Sequence, residues 1–360
     1  MAERVFITDC EGPISKNDNA FELSSNFIPN GDRFFSVISR YDDVLSDVLK
    51  RPDYKAGDTL RLIAPFFKAY GVTDELIEEY SANNILLVPY AGETLRYVSR
   101  LMPSFIVSTS YEHYIRALCD ETGFPFQNTY CTRLQLDQYV ISEDEKIRLR
   151  LLAEEIARMP IVEIPEGAES LDDFPSEHRE VIERLDAIFW IELAEMEVGK
   201  IIRDVNPVGG VEKAKAVRDI VNRTGVSFHD VMYVGDSITD VSPFQLVREN
   251  GGLTVSFNGN SYAVREAEVA VMSNNTVITS ILAHIFKREG KAGVLNLVRE
   301  WSSNYYRKFI APELVSRYEG ILLKEPPVLE LVTDDNLRRL SLESSEFRKR
   351  VRGEAVGKLG

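Results

Sequence analysis

Two hydrophobic patterns alternate along this chain. Short unbroken apolar runs end in a polar residue, and longer stretches repeat apolar positions at i, i+3 and i+4. Arg4-Val5-Phe6-Ile7-Thr8-Asp9 is the first run. It predicts a buried strand that presents Asp9 at its C-terminal end, and Gly12-Pro13 then turns the chain away. From about Asn17 to Asn84 the spacing is helical, as in the segments Asp42–Leu49 and Asp74–Tyr80. Strand signals are scarce there, so a separate helical unit is expected. A helix is expected to begin around Pro89-Tyr90-Ala91, followed by a second apolar run, Ser104–Ser110, that ends in hydroxyls, and a helix over Glu112–Glu121. Between about 125 and 205 the spacing predicts charged helices around Glu143–Met159 and Ser176–Lys200, separated by a Pro- and acid-rich stretch. A helix over Val211–Arg223 precedes a third strand, His229–Asp236, again ending in an acid. Leu253–Asn258 and Val269–Met272 read as further strands, and from Thr276 onward the pattern is mostly helical. Strands alternating with helices imply a doubly wound parallel sheet of the α/β class. Such sheets bind ligands beyond the C-terminal ends of their strands. Asp9, Ser108 and Asp236 stand at three such ends.

Composition narrows the function classes. The chain has 360 residues, 44% hydrophobic and 28% charged, which is ordinary globular usage with length for a sizeable core. Its formal net charge is −15, from 42 Lys and Arg against 57 Asp and Glu, so a sequence-independent nucleic-acid binder is not expected. Cys10, Cys119 and Cys131 are too few and scattered for a disulfide framework, and the four histidines show no zinc spacing. The chain begins without a basic-then-apolar leader, and no apolar run approaches the ~20 residues that cross a bilayer. A cytoplasmic protein without membrane contact is the expectation. The basic run Arg348-Lys349-Arg350-Val351-Arg352 reads as the solvated end of a helix.

The candidate chemistry lies at the strand ends. Asp9 and Glu11, two residues apart, suit a nucleophile and a general acid/base, although acid pairs after strands also serve as turn residues. Gly235-Asp236-Ser237-Ile238-Thr239-Asp240 places two carboxylates where a hard cation such as Mg²⁺ would bind, or where a helix would be capped. Ser108 could hold a phosphoryl oxygen or cap a helix. Lys213 could offset phosphoryl charge or face solvent, with Lys215 as its rival.

In this order the segments resemble the motifs of the haloacid-dehalogenase-like (HAD) superfamily, whose main activity is phosphate-ester hydrolysis. Asp9-Cys10-Glu11-Gly12, Ser108, Lys213 and Gly235–Asp240 carry the resemblance, over about 1–15, 86–125 and 205–280. Glu11 stands where the usual motif has aspartate. Some enolase-phosphatase-like and phosphoserine-phosphatase-like members share that feature, so it favours a phosphatase and argues against haloacid dehalogenation. The resemblance implies a Rossmann-like core with a helical cap at 16–85, a helical insertion at 126–204 and a mostly helical extension at 281–360. It implies Asp9 as nucleophile, Glu11 as acid/base, and Mg²⁺ held by Asp9, the Glu11 main-chain carbonyl, Asp236 and Asp240. Ser108, Thr109 and Lys213 would hold the phosphoryl group, and Glu22 of the cap would contact the substrate. Arg33, Arg40 and Arg51 are further charged cap residues. The implied partner is a small phosphorylated metabolite, with a protein partner possible through the insertion or the extension. Two alternatives stand beside hydrolysis: phosphoryl transfer to an organic acceptor through the same residues, and a binding or assembly subunit whose catalysis is lost or incidental. The overall layout also resembles an uncharacterised archaeal group of that superfamily, some members of which are labelled a subunit of an energy-converting hydrogenase.

Overall fold

The computed structural model describes residues 3–301 and 312–357. Part of the C-terminal extension expected at 281–360 therefore lies outside the described residues. Seven strands form one sheet: β1 (Val5–Thr8), β2 (Ser104–Tyr111), β3 (Thr129–Thr132), β4 (Val231–Gly235), β5 (Leu253–Phe257), β6 (Val269–Met272) and β7 (Val328–Leu331). Their order is β3-β2-β1-β4-β5-β6-β7, parallel except for the antiparallel β6–β7 pair. The class is the α/β, doubly wound one that the alternating pattern implies. β3 and β7 lie in segments whose patterns pointed to the insertion and the helical extension. Both are short edge strands, and β7 is only half-buried, so neither has the apolar run of a central strand.

Alternation along the strands divides the core. Val5, Ile7, Val107, Val231 and Tyr233 face one layer, and Phe6, Ile106, Met232 and Val234 face the other. The segment expected to form a cap, 16–85, contributes α1 (Asn19–Phe27), α2 (Gly31–Asp43), which runs on into a π turn at Val44–Val48, α3 (Thr59–Ala69) and α4 (Asp74–Asn83). α5 (Ala91–Leu101) and α6 (Glu112–Thr122) flank the sheet. α7 (Glu143–Arg158), α8 (Ser176–Ala187) and α9 (Gly199–Asp204) come from the second helical segment. The two helical segments share one core: Phe34, Ile38, Leu62 and Phe66 pack in a single cluster with Leu149, Leu152, Leu185 and Ile201. The expected cap and insertion thus bury their apolar faces against each other.

α10 (Val211–Thr224) and α11 (Val241–Glu249) cover the Val5 face of the sheet. After α12 (Ser261–Glu266) comes α13 (Val277–Arg299), which bends at Gly290 and covers the Phe6 face. α14 (Pro312–Lys324) leads to β7, and α15 (Leu337–Arg352) and α16 (Glu354–Gly357) complete the chain. Among the described residues, no helix is long and apolar enough to cross a membrane.

Candidate active site

The strand order reverses direction between β1 and β4. The chain passes from β1 to β2 and β3 on one side, then from β4 outward on the other. Connections leave the two strands in opposite directions there, which opens a crevice beyond their C-terminal ends. Asp9 and Asp236 follow those two strands, and the Asp9 amide donates to Val234 O at 2.8 Å, which locks the pair of strand ends together.

After Asp9 the backbone folds tightly on itself. The amides of Ile14 and Ser15 both donate to Cys10 O at 2.9 Å, and that of Gly12 to Ser15 O at 2.7 Å. Gly12 has φ +100°, a conformation that side chains disfavour, and its Cα lies against the Asp236 carboxylate. The stems into and out of the cap then pair, with Lys16 N donating to Leu86 O at 2.7 Å and Val88 N to Ile14 O at 2.9 Å.

Lys213 projects from the first turn of α10 and is fully buried. Its Nζ donates to Asp9 Oδ2 at 2.5 Å and Asp240 Oδ1 at 2.8 Å. Burial pulls the ammonium pKa down, but Asp240 and Asp9 outweigh this and leave it above its ordinary value. Burial raises the Asp9 carboxyl above the usual range, while Lys213 holds it back. Asp240 is saturated: Oδ1 also accepts from the Tyr233 hydroxyl at 2.8 Å, and Oδ2 accepts the amides of Asp236 and Ser237 at 2.9 and 3.2 Å. Asp240 therefore orients Lys213 and the Asp236 turn.

Glu11 Oε1 accepts the Asn19 amide at 2.8 Å, which places the carboxyl at the N-terminus of α1. Burial, then the nearby Asp18, pushes its pKa up to about 8. The Ser108 hydroxyl lies inside β2, two residues past the stretch that pairs with β1, and donates to Ser110 Oγ at 3.0 Å. Thr109 Oγ1 donates to Val208 O at 3.2 Å. A cavity of about 90 Å³ is lined by Asp9, Glu11, Ser108, Thr109 and Asp236 together with Phe35, Ser39, Asp42 and Thr59, and Lys213 and Asp240 are not among its lining residues.

Not every sequence candidate reaches this cavity. Both Glu22 carboxylate oxygens accept from Asn17 Nδ2, at 2.9 and 2.8 Å, and Glu22 is not among the lining residues. Arg33 donates to Met159 O, Arg40 pairs with Asp43, and Arg51 pairs with Asp186 over the Trp190 ring. Lys215 pairs with the neighbouring Glu212 at the surface. Cys10 is buried, and burial followed by Glu11 and Asp9 drives its thiol pKa well up, so a reactive thiolate is disfavoured.

The basic C-terminal run requires a correction. The side chains of Arg348 and Arg352 are each only 4% exposed, and both line the cavity. Arg348 Nη1 pairs with Asp236 Oδ2, and Arg352 Nη1 lies 3.3 Å from the same oxygen. The Arg352 guanidinium also donates to the main-chain oxygens of Lys16 and Asn17. The overlooked signal is periodic: Leu340, Ser344 and Arg348 follow at four-residue steps and form the buried face of α15.

The donor set of the site suits a hard divalent cation. Carboxylate oxygens of Asp9, Asp236 and Asp240 lie within 4.8 Å of one another, all buried. Each Asp240 oxygen already accepts two hydrogen bonds, while Asp9 Oδ2 takes Lys213 and Asp236 Oδ2 takes Arg348.

No family model and no curated protein matches the sequence. Among solved structures, gene product AF1437 from Archaeoglobus fulgidus is similar over 99% of both chains, with TM-score 0.81 and 27% identity. A substrate-bound phosphoserine phosphatase aligns with TM-score 0.42 and 13% identity over 78% of this chain and 98% of its own. A phospho-aspartyl intermediate analogue of phosphoserine phosphatase aligns with TM-score 0.42 and 12% identity over 75% and 93% of the two chains.

Proposed function

We propose that this chain is a HAD-type phosphomonoester hydrolase that acts on a small phosphorylated metabolite through an aspartyl-phosphate. The observation that carries the reading is the buried Asp9–Lys213–Asp240 array beyond β1 and β4, whose Asp9 lines one cavity with Glu11, Ser108 and Asp236. A buried lysine shared between two carboxylates is costly as mere structure and useful beside a phosphoryl group.

In the first step an Asp9 carboxylate oxygen attacks phosphorus as the P–O bond to the leaving alcohol breaks. Glu11, kept protonated near neutral pH by its burial, gives its proton to the departing oxygen. In the second step Glu11 takes a proton from water, which attacks phosphorus and releases phosphate and the Asp9 carboxylate. Ser108 and Lys213 hold the non-bridging oxygens, and Lys213 offsets the charge that would otherwise oppose attack by Asp9. Asp9, Asp236 and the Glu11 main-chain carbonyl would hold Mg²⁺, which supplies charge neutralisation to the phosphoryl oxygens when bound. The cap residues Phe35, Ser39 and Asp42 exclude bulk water and select the alcohol.

The test is phosphate release from an aryl phosphate and a panel of phosphorylated metabolites, with Mg²⁺ and with chelator, for wild type and Asp9→Asn. Release that needs both Mg²⁺ and Asp9 is expected. Release that persists in Asp9→Asn would sink the assignment. Folded protein with no release across the panel would favour the binding-subunit alternative.

A further inference from the structure

We propose that Arg348 and a divalent cation compete for Asp236, so that the C-terminal helix sets the affinity of the site for metal. The inference rests on the reading of Asp9 and Asp236 as metal ligands. The geometry points to one shared carboxylate. Asp236 belongs to the buried acid cluster, and its Oδ2 pairs with Arg348 Nη1 while Arg352 Nη1 stands 3.3 Å away. A guanidinium and a divalent cation on the same buried carboxylate repel each other at low local dielectric, so each weakens the hold of the other.

The arginines are not loose surface residues swept into the site. Arg348 and Arg352 stand one turn apart on the same face of α15, and their side chains are 4% exposed. Ser344 Oγ, one turn earlier, donates to Gly259 O at 2.7 Å, in the loop whose Asn260 amide donates to Asp236 O at 2.9 Å. Leu340 packs with Val264, Ala270 and Met272. The helix is thus registered against the Asp236 turn by three successive contacts, and the guanidinium is delivered as part of the fold. Two buried guanidinium groups demand carboxylate partners, and the acid cluster provides them. With the arginines seated, their positive charges do for the acids what a cation would do.

Competition makes the coupling reciprocal. A cation bound at Asp236 weakens the seat of α15 by the same factor that the seated arginine weakens cation binding. Anything that draws α15 away would load the site with metal, and anything that holds α15 in place would keep metal out.

Mn²⁺ binding, read from the loss of the free-ion electron paramagnetic resonance signal, tests this on the full-length chain without reference to activity. Arg348→Gln is expected to bind Mn²⁺ at least about tenfold more tightly than wild type, and adding Asp236→Asn should remove the gain. Equal affinity in wild type and Arg348→Gln, with both sensitive to Asp236→Asn, overturns the competition while leaving the metal site in place. No Mn²⁺ binding in either protein overturns the competition together with the metal reading beneath it. Should Arg348→Gln fold poorly, hydrogen exchange in wild type gives the second measurement. Amides of residues 337–352 should lose protection as Mg²⁺ is added, and unchanged protection at saturating Mg²⁺ overturns the proposal.

Discussion

A β-carbon on Gly12 would lie 2.1 Å from Asp236 Oδ2. The backbone after β1 therefore passes flush against the carboxylate that follows β4, and only the absence of a side chain permits it. The φ of +100° at Gly12 adds a second requirement for glycine. Gly12→Ala is expected to push Asp236 away from Asp9. Backbone strain alone costs roughly 1–3 kcal/mol, and the overlap adds to it. A thermal melt should show a fall of several degrees, and phosphate release should be lost even at temperatures where the variant is folded. A variant with wild-type activity would show that the close approach has no bearing on chemistry.

Lys213 separates the structural role of the array from its chemical role. It is fully buried between Asp9 and Asp240, so Lys213→Met leaves two buried carboxylates without their cation. Breaking such a pair costs on the order of 3–5 kcal/mol. Adding Asp240→Asn removes one of the stranded charges. The double variant should recover part of the stability in denaturant unfolding and none of the phosphate release. Recovery of release in the double variant would show that Lys213 serves the fold alone.

Ser108 offers the opposite signature. Its hydroxyl bonds within β2, donating to Ser110 Oγ at 3.0 Å and accepting the Ser110 amide at 3.2 Å, and it lines the cavity. Ser108→Ala removes little packing, so the melting temperature should shift by no more than a degree or two. If the hydroxyl holds a phosphoryl oxygen, kcat/KM should fall about 10²-fold or more, the usual cost of losing one preorganised donor. A variant that melts earlier with unchanged kcat/KM would make Ser108 a turn residue.

The sheet and the acids at its mouth were readable because each central strand is a continuous apolar run, and the residue that ends it must face a crevice. Asp9 and Asp236 follow from that rule together with parallel topology, whereas β2 runs on past Ser108 to Tyr111. The arginines of α15 were not readable in the same way. A basic run near the end of a helix has the local pattern of a solvated face, and the partner of Arg348 lies 112 residues away in the chain. The four-step spacing of Leu340, Ser344 and Arg348 marks the buried face, but a charged residue on it has no meaning until its acceptor is known. The shared core of the two helical segments was hidden for the same reason. Each segment shows an apolar stripe, yet nothing in a stripe names the stripe it packs against.

Asp42 provides a test of pH dependence away from the proposed metal ligands. It is 3% exposed, lines the cap side of the cavity, and accepts the Gly57 amide on Oδ2 at 2.8 Å. Burial, then the neighbouring Asp58, raises its pKa from 3.8 to about 8, against the opposing pull of the Gly57 amide. The folded chain thus keeps a proton on Asp42 that the unfolded chain releases once the pH exceeds about 4. Folded protein binds more protons than unfolded protein throughout that window, so this group lowers stability as pH rises, by up to about 1.4 kcal/mol per pH unit. The decline ends above the folded pKa, where both states are ionised. Asp42→Asn keeps an acceptor for Gly57 and carries no charge at any pH. Denaturant unfolding should therefore give wild type and variant equal stability near pH 4, with the variant ahead by a few kcal/mol near pH 8. A variant less stable than wild type at pH 8 would mean that Asp42 is ionised in the fold and held by a partner, and the raised pKa would be wrong.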